Sequence, residues 1–81
     1  MIMYELIPTN GRKSFNRKAL VLEEPDGKVL LSYGTRIMKI FDNGFIVRYW
    51  DNWTTTTGTH IKSFSGLNKK EFLELPLMED F

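Results

Sequence analysis

The 81 residues, about 9.5 kDa, allow one domain and leave no room for a catalytic domain beside a binding one. Eleven basic residues against ten acidic ones give a net charge of +1, which argues against both a histone-like polycation and an acidic nucleic-acid mimic. The chain has no cysteine and one histidine, which excludes disulfides, thiolate chemistry and a multi-histidine zinc site. With 42 % hydrophobic and 14 % aromatic residues it has enough apolar material for a compact core, so no cofactor or metal is expected to hold it together.

Arg12, Lys13, Arg17 and Lys18 interrupt the stretch where an export signal needs an unbroken apolar run. The apolar runs are also far shorter than the roughly 20 residues of a membrane helix. A soluble, cytoplasmic protein is the expectation, with residues 1–81 folding as a single domain.

In chain order, Ile2 to Ile7 reads as a first strand closed by the turn-rich Pro8-Thr9-Asn10-Gly11. Ser14 to Glu23 reads as a second strand, with Phe15, Ala19 and Val21 on one face and Leu20 and Leu22 on the other. Glu24-Pro25-Asp26-Gly27 has turn chemistry, and Lys28 to Tyr33 returns as a third strand. Thr35 to Phe41 and Phe45 to Trp50 flank Asp42-Asn43-Gly44, in which Asn43-Gly44 suits a two-residue type I′ turn. That register places Ile40 opposite Val47, Met38 opposite Tyr49, and Lys39 opposite Arg48. The like-charged pair shares its face with Ile37, Phe41, Ile46 and Trp50, and is tolerable only in water or facing an anion.

After Trp50 the period changes. Thr57, His60, Ile61 and Phe64 form a helical stripe, with Thr54 or Thr55 as N-cap and Gly66 as terminator. Gly58 and the threonines are poor helix formers, so this helix must be held by docking on the sheet. A second, short helix has a capping box in Asn68 and Glu71, a hydrophobic staple in Leu67 and Phe72, and a stop at Pro76. The predicted fold is α+β: a small antiparallel β-meander of four to five strands followed by two short C-terminal helices packed on one face.

Two surfaces stand out. Tyr49, Trp50, Trp53, Thr54, Thr55, Thr56 and His60 combine stacking rings, hydroxyls and a helix N-terminus, a candidate partner-binding surface. The competing reading makes the tryptophans core and the threonines caps. Arg12, Lys13, Arg17, Lys18, Arg36, Lys39 and Arg48 would instead give a basic sheet face with aromatic residues among the charges, as single-strand nucleic-acid platforms have. The competing reading there is a solvated edge strand that lysines and arginines keep from aggregating.

Catalysis has thin support. His60 is the general base of ordinary pKa, with Asp51 to orient it and Thr56 or Ser63 as nucleophile, yet no Gly-x-Ser-x-Gly elbow is present. A structural histidine bonded to a carbonyl or hydroxyl near the helix–sheet junction is the simpler expectation. The last eleven residues carry Glu71, Glu74, Glu79 and Asp80 and no basic residue, against the basic stretch from Arg12 to Lys18.

The string from Trp50 to Phe64 resembles the signature of an uncharacterised family of short phage, mobile-element and gut-bacterial proteins, Trp-x-Gly-Tyr-Ser-x-Thr-Thr-x-x-His-Ile-x-x-Phe. Trp50, Thr56, Thr57, His60, Ile61 and Phe64 match it, whereas Asn52, Trp53 and Thr54 stand where the pattern has Gly, Tyr and Ser. Gly11-Arg12-Lys13-Ser14-Phe15, Leu31-Ser32-Tyr33 and Gly66-Leu67-Asn68-Lys69-Lys70-Glu71-Phe72 also look similar to that family. The resemblance implies an accessory protein of a phage or mobile element. Proteins of that origin often bind host machinery, including nucleases of CRISPR and other defence systems. The expected function is therefore non-enzymatic binding of a host protein, as monomer or homodimer, with nucleic-acid binding as the alternative.

Overall fold

A computed structural model describes residues 2–8 and 18–78. Among these residues the chain forms five strands and two α-helices. The strands are β1 (Ile2–Glu5), β2 (Ala19–Glu24), β3 (Gly27–Ser32), β4 (Thr35–Phe41) and β5 (Ile46–Arg48); the helices are α1 (Thr55–Ser65) and α2 (Lys69–Leu73). The strands hydrogen-bond in chain order as one antiparallel sheet, the expected meander. Of the longer second strand expected from Ser14, residues 14–17 lie outside the described ones, Phe15 included.

Sheet faces follow from the register. Tyr4, Val21, Leu30 and Met38 are cross-strand partners in one row, on the side covered by the helices. Val21, Leu30 and Met38 pack with Ile61 of α1 and Phe72 of α2, all fully or almost fully buried, together with Leu6, Ala19 and Ile37. Ile37 reaches this cluster because β3 and β4 slip by one residue between Leu30 and Leu31, which leaves it as the extra residue of a bulge. The second face carries Leu20, Leu22, Val29, Leu31 and Val47, so β2 is apolar on both faces as its sequence indicates.

The β4–β5 hairpin departs from the two-residue expectation. Phe41 N–H donates to the Phe45 carbonyl and Gly44 N–H to the Phe41 carbonyl, so the loop holds three residues, Asp42 to Gly44. Gly44 alone among them takes a positive φ, +92°, as a type I turn followed by a left-handed residue requires. The extra residue moves every pairing by one: Ile40 faces Ile46, Lys39 faces Val47 and Met38 faces Arg48. A one-residue slip exchanges the faces of a strand. Arg48 and Ile46 therefore point to the helix side, and the predicted Lys39–Arg48 pair does not form.

Both helices start as their sequences indicate. Thr54 Oγ1 accepts from Thr57 N–H at 3.2 Å, and α1 ends at Gly66, whose N–H donates to the Lys62 carbonyl. In α2 the Asn68 side chain accepts from Glu71 N–H at 2.9 Å while Glu71 accepts from Asn68 N–H at 3.0 Å, a complete capping box. Beyond α2 the chain returns to the sheet. Arg48 N–H donates to the Pro76 carbonyl and Met78 N–H to the Arg48 carbonyl, so Leu77 forms a parallel bridge that covers the outer edge of β5. Among the described residues, β1 is thus the sheet edge without a neighbour.

Candidate functional site

The aromatic and threonine segment divides into interior and surface parts. Trp50 and Trp53 are half-buried against the core cluster. The Trp53 indole lies flat on α1 at Gly58, where a Cβ would come within 2.5 Å of its ring carbons, and its ring meets Phe72 at 5.9 Å with an interplanar angle of 55°. The glycine that weakens α1 as a helix therefore makes room for the tryptophan. Thr54 caps α1, and Thr59 Oγ1 donates to the Thr55 carbonyl at 3.0 Å. Thr54, Thr55 and Thr56 are exposed, whereas Thr57 is buried.

His60 sits at the helix–sheet junction, as a structural histidine would. Its Nδ1 lies 2.9 Å from Ser32 Oγ, which is 3.2 Å from Thr57 Oγ1, and the Tyr33 ring tilts over it with centroids 5.9 Å apart. Ser32, on β3, was not among the residues singled out for His60. Its signal is a hydroxyl in an otherwise apolar strand, facing a helix that carries the histidine. The trio resembles a serine–histidine pair in chemistry, but Ser32 is 3 % exposed and His60 2 %. Asp51, the expected orienting carboxylate, is instead held by Arg48 Nη1 at 3.0 Å. Thr56 is exposed on the first turn of α1. The trio pins α1 to β3 through hydrogen bonds that a buried polar cluster must make among its own members.

The structure does not bring the basic residues together on one face. Arg12, Lys13 and Arg17 lie outside the described residues. Lys18 is exposed, with its Nζ 5.9 Å from the centroid of the Tyr33 ring. Arg36 and Lys39 occupy the second face of β4, where both meet acids. Lys39 Nζ donates to Glu24 at 2.8 Å and Asp26 at 2.5 Å, and Arg36 reaches Glu24 at 3.4 Å. Arg36 also donates to the half-buried Tyr49 hydroxyl at 3.5 Å and stacks at 4.9 Å from that ring. Two cations against two carboxylates leave this cluster near neutral, and Lys39 is only 6 % exposed. The hydrogen bond from Lys39 holds the Glu24 and Asp26 carboxyls below their ordinary range, against the smaller opposing effect of burial. Burial pulls Lys39 down, but its bonds to Asp26 and Glu24 together raise it.

Arg48 faces the other way and is 9 % exposed. Its Nε donates to the Leu75 carbonyl at 3.0 Å, Nη2 to Leu73 at 3.1 Å, and Nη1 to Trp50 at 3.2 Å and Asp51. It is an internal clamp.

At the opposite end of the sheet the exposure pattern reverses. Ile2 is 63 % exposed, Met3 52 % and Tyr4 42 %, apolar residues on both faces of β1, and Ile7, just beyond the strand, is 79 % exposed. One hollow of about 300 Å³ runs beside it, lined among others by Tyr4, Leu6, Ile7, Val21 and Phe64. A second, of about 350 Å³, lies between Met3, Tyr4, Glu5 and Leu20. The sequence reading placed a strand here but no site. Its available signal was a run of apolar residues without period-2 alternation in a first strand.

Among the described residues, no cluster of His, Asp or Glu has metal-ligating geometry and no helix is long and apolar enough to cross a membrane. Residues 4–75 match the model of a family of unknown function, DUF8033. The chain belongs to that family. No curated protein and no solved structure matches it. The match takes in the whole segment from Trp50 to Phe64 and stops before the isolated bridge at Leu77.

Two outcomes follow. Gly58→Ala should lower stability by about 1–3 kcal/mol through displacement of Trp53, although the same change in an exposed helix gains about 1 kcal/mol; urea denaturation followed by tryptophan fluorescence measures it. The Glu24 and Asp26 carboxyls have lower pKa values folded than unfolded, so their contribution is present above the ordinary carboxylate range and lost as pH falls below about 4. Glu24→Gln should therefore reduce the thermal midpoint at pH 7 and make little difference at pH 3.

Proposed function

We propose that this protein is a non-enzymatic binding module that engages another protein through the open sheet edge at β1. The observation that carries the reading is the exposure of Ile2, Met3 and Tyr4 on an edge strand, with Ile7 exposed just beyond it. Edge strands ordinarily avoid such a surface through charge, proline or cover, because it invites pairing with another chain. An extended segment of a partner can add to the sheet there by main-chain hydrogen bonds and place side chains in the two flanking hollows. With the phage or mobile-element origin that the Trp50–Phe64 motif implies, the partner is a host protein and the effect is inhibition of defence machinery, such as a CRISPR nuclease. Of the basic residues of the nucleic-acid alternative that are described, Lys18 is exposed, whereas Arg36, Lys39 and Arg48 are engaged by acids and carbonyls.

A photoreactive residue replacing Tyr4 should crosslink a host protein in lysate at both low and high salt, and Met3→Glu should reduce that yield at least tenfold. A photoreactive residue at Thr56 should stay silent. Capture from position 56 with none from position 4 would move the working surface to the threonine turn and overturn the assignment to β1.

A further inference from the structure

We infer that Asn43 is a deamidation site gated by the β4–β5 hairpin: the closed loop holds it unreactive, and once the loop opens, conversion to isoaspartate prevents the register that buries Arg48.

The chemistry lies in the pair Asn43-Gly44. In an open chain the Gly44 main-chain nitrogen gives up its proton to solvent and attacks Cγ of the preceding carboxamide. The carboxamide nitrogen takes up a proton and leaves as ammonia, and a succinimide ring remains. Water then opens the ring. Attack at Cγ yields aspartate, whereas attack at the main-chain carbonyl yields isoaspartate, in which the chain runs through Cβ and Cγ and is longer by a methylene. Glycine in second place puts no Cβ in the way of ring closure. Asn43 and Gly44 are both exposed, so water and base reach them. Among the described residues Asp26-Gly27 is the comparable pair, but Lys39 holds its carboxylate and Gly27 is buried in β3.

The closed hairpin opposes ring closure. Gly44 N–H, which must lose its proton, donates to the Phe41 carbonyl at 2.9 Å. Asn43 is the second central residue of a type I turn, where ψ is near 0°. The Gly44 nitrogen then eclipses the Asn43 nitrogen and points away from Cβ, so reaching Cγ takes a rotation that breaks the turn. Asp42 N–H donates to the Asp26 carbonyl at 2.9 Å, which ties the same loop to the β2–β3 turn. The bond that Asn43 Oδ1 accepts from Phe45 N–H at 2.9 Å polarises Cγ, so the barrier is one of reach and not of electrophile.

The product acts through loop length. The loop from Asp42 to Gly44 sets Met38 opposite Arg48 and sends the guanidinium to the carbonyls of Leu73 and Leu75. Phe41 N–H and C=O both bond across that loop, to Phe45 and Gly44. An added methylene lengthens the path between them, and the register at Arg48 gives way with those bonds. Aspartate keeps the main-chain length and an oxygen for Phe45 N–H, so it preserves the hairpin.

Peptide mapping at mildly alkaline pH counts Asn43 separately from Asn10, which glycine also follows. Isoaspartate at position 43 should accumulate at least tenfold more slowly in the native protein than in the same protein unfolded in guanidinium chloride. The slowing should match the factor by which the fold retards hydrogen exchange at the Gly44 amide. Native chains carrying isoaspartate at position 43 should lose the slow exchange of the Arg48 amide, whereas Asn43→Asp should keep it. Equal rates in folded and unfolded protein, or conversion of the native protein faster than Gly44 exchange allows, would overturn the gate. No isoaspartate in either state would overturn the site, and slow Arg48 exchange in the isoaspartate chains would overturn the link to the register.

Discussion

A guanidinium taken out of water must find acceptors for its donors, and Arg48 finds them in segments that would otherwise be unconnected. Three are main-chain carbonyls, of Trp50, Leu73 and Leu75, and the fourth is the Asp51 carboxylate. The carbonyls of Leu73 and Leu75 lie at or just past the end of α2, where helical partners run out. The Arg48 main chain meanwhile exchanges hydrogen bonds with the segment around Leu77. One residue thus fixes β5, the corner at Trp50 and Asp51, the end of α2 and that segment. Hydrogen bonds to a charged donor contribute about 1.5–3 kcal/mol each. Lysine cannot replace this residue, because a single ammonium does not present donors in a planar fork.

From that corner the rest of the helical layer follows. Trp53 leaves it to lie on Gly58 and against Phe72, Thr54 caps α1, and Thr57, Ser32 and His60 tie the helix to β3. The residues from Trp50 to Phe64 are thereby spent mostly on holding α1, α2 and the sheet together. The opposite edge receives no such reinforcement. β1 is four residues long, exposed along its length, and bonded on one side. Internal connections are concentrated at the β5 end and exposed apolar side chains at the β1 end.

Much of this was legible in the residues. The meander, the two helices, the Asn68 capping box and the Thr54 cap are local signals, and local chemistry determines them. The hairpin departs from its predicted register because Asn43-Gly44 satisfies two loop lengths, and only the main-chain bond from Phe41 to Phe45 selects the longer one. That single residue decides whether Arg48 faces anions in water or carbonyls inside the protein. Gly58 looked like a flaw in a helix because its partner, Trp53, stands outside the helical period. The segment around Leu77 has no sequence pattern of its own, being held by Arg48 through the edge of β5. The edge position of β1 follows from the predicted meander, in which the first strand ends the sheet.

Residue-resolved amide hydrogen exchange tests this division of the molecule most directly. The Arg48 and Met78 amides should exchange only with global unfolding, alongside those at the centre of β3, although Met78 lies near the end of the described chain. The Met3 amide should exchange orders of magnitude faster. A Met78 amide that exchanges as fast as Met3, with β3 still protected, would show that Arg48 does not bind the C-terminal segment into the fold and would contradict the account.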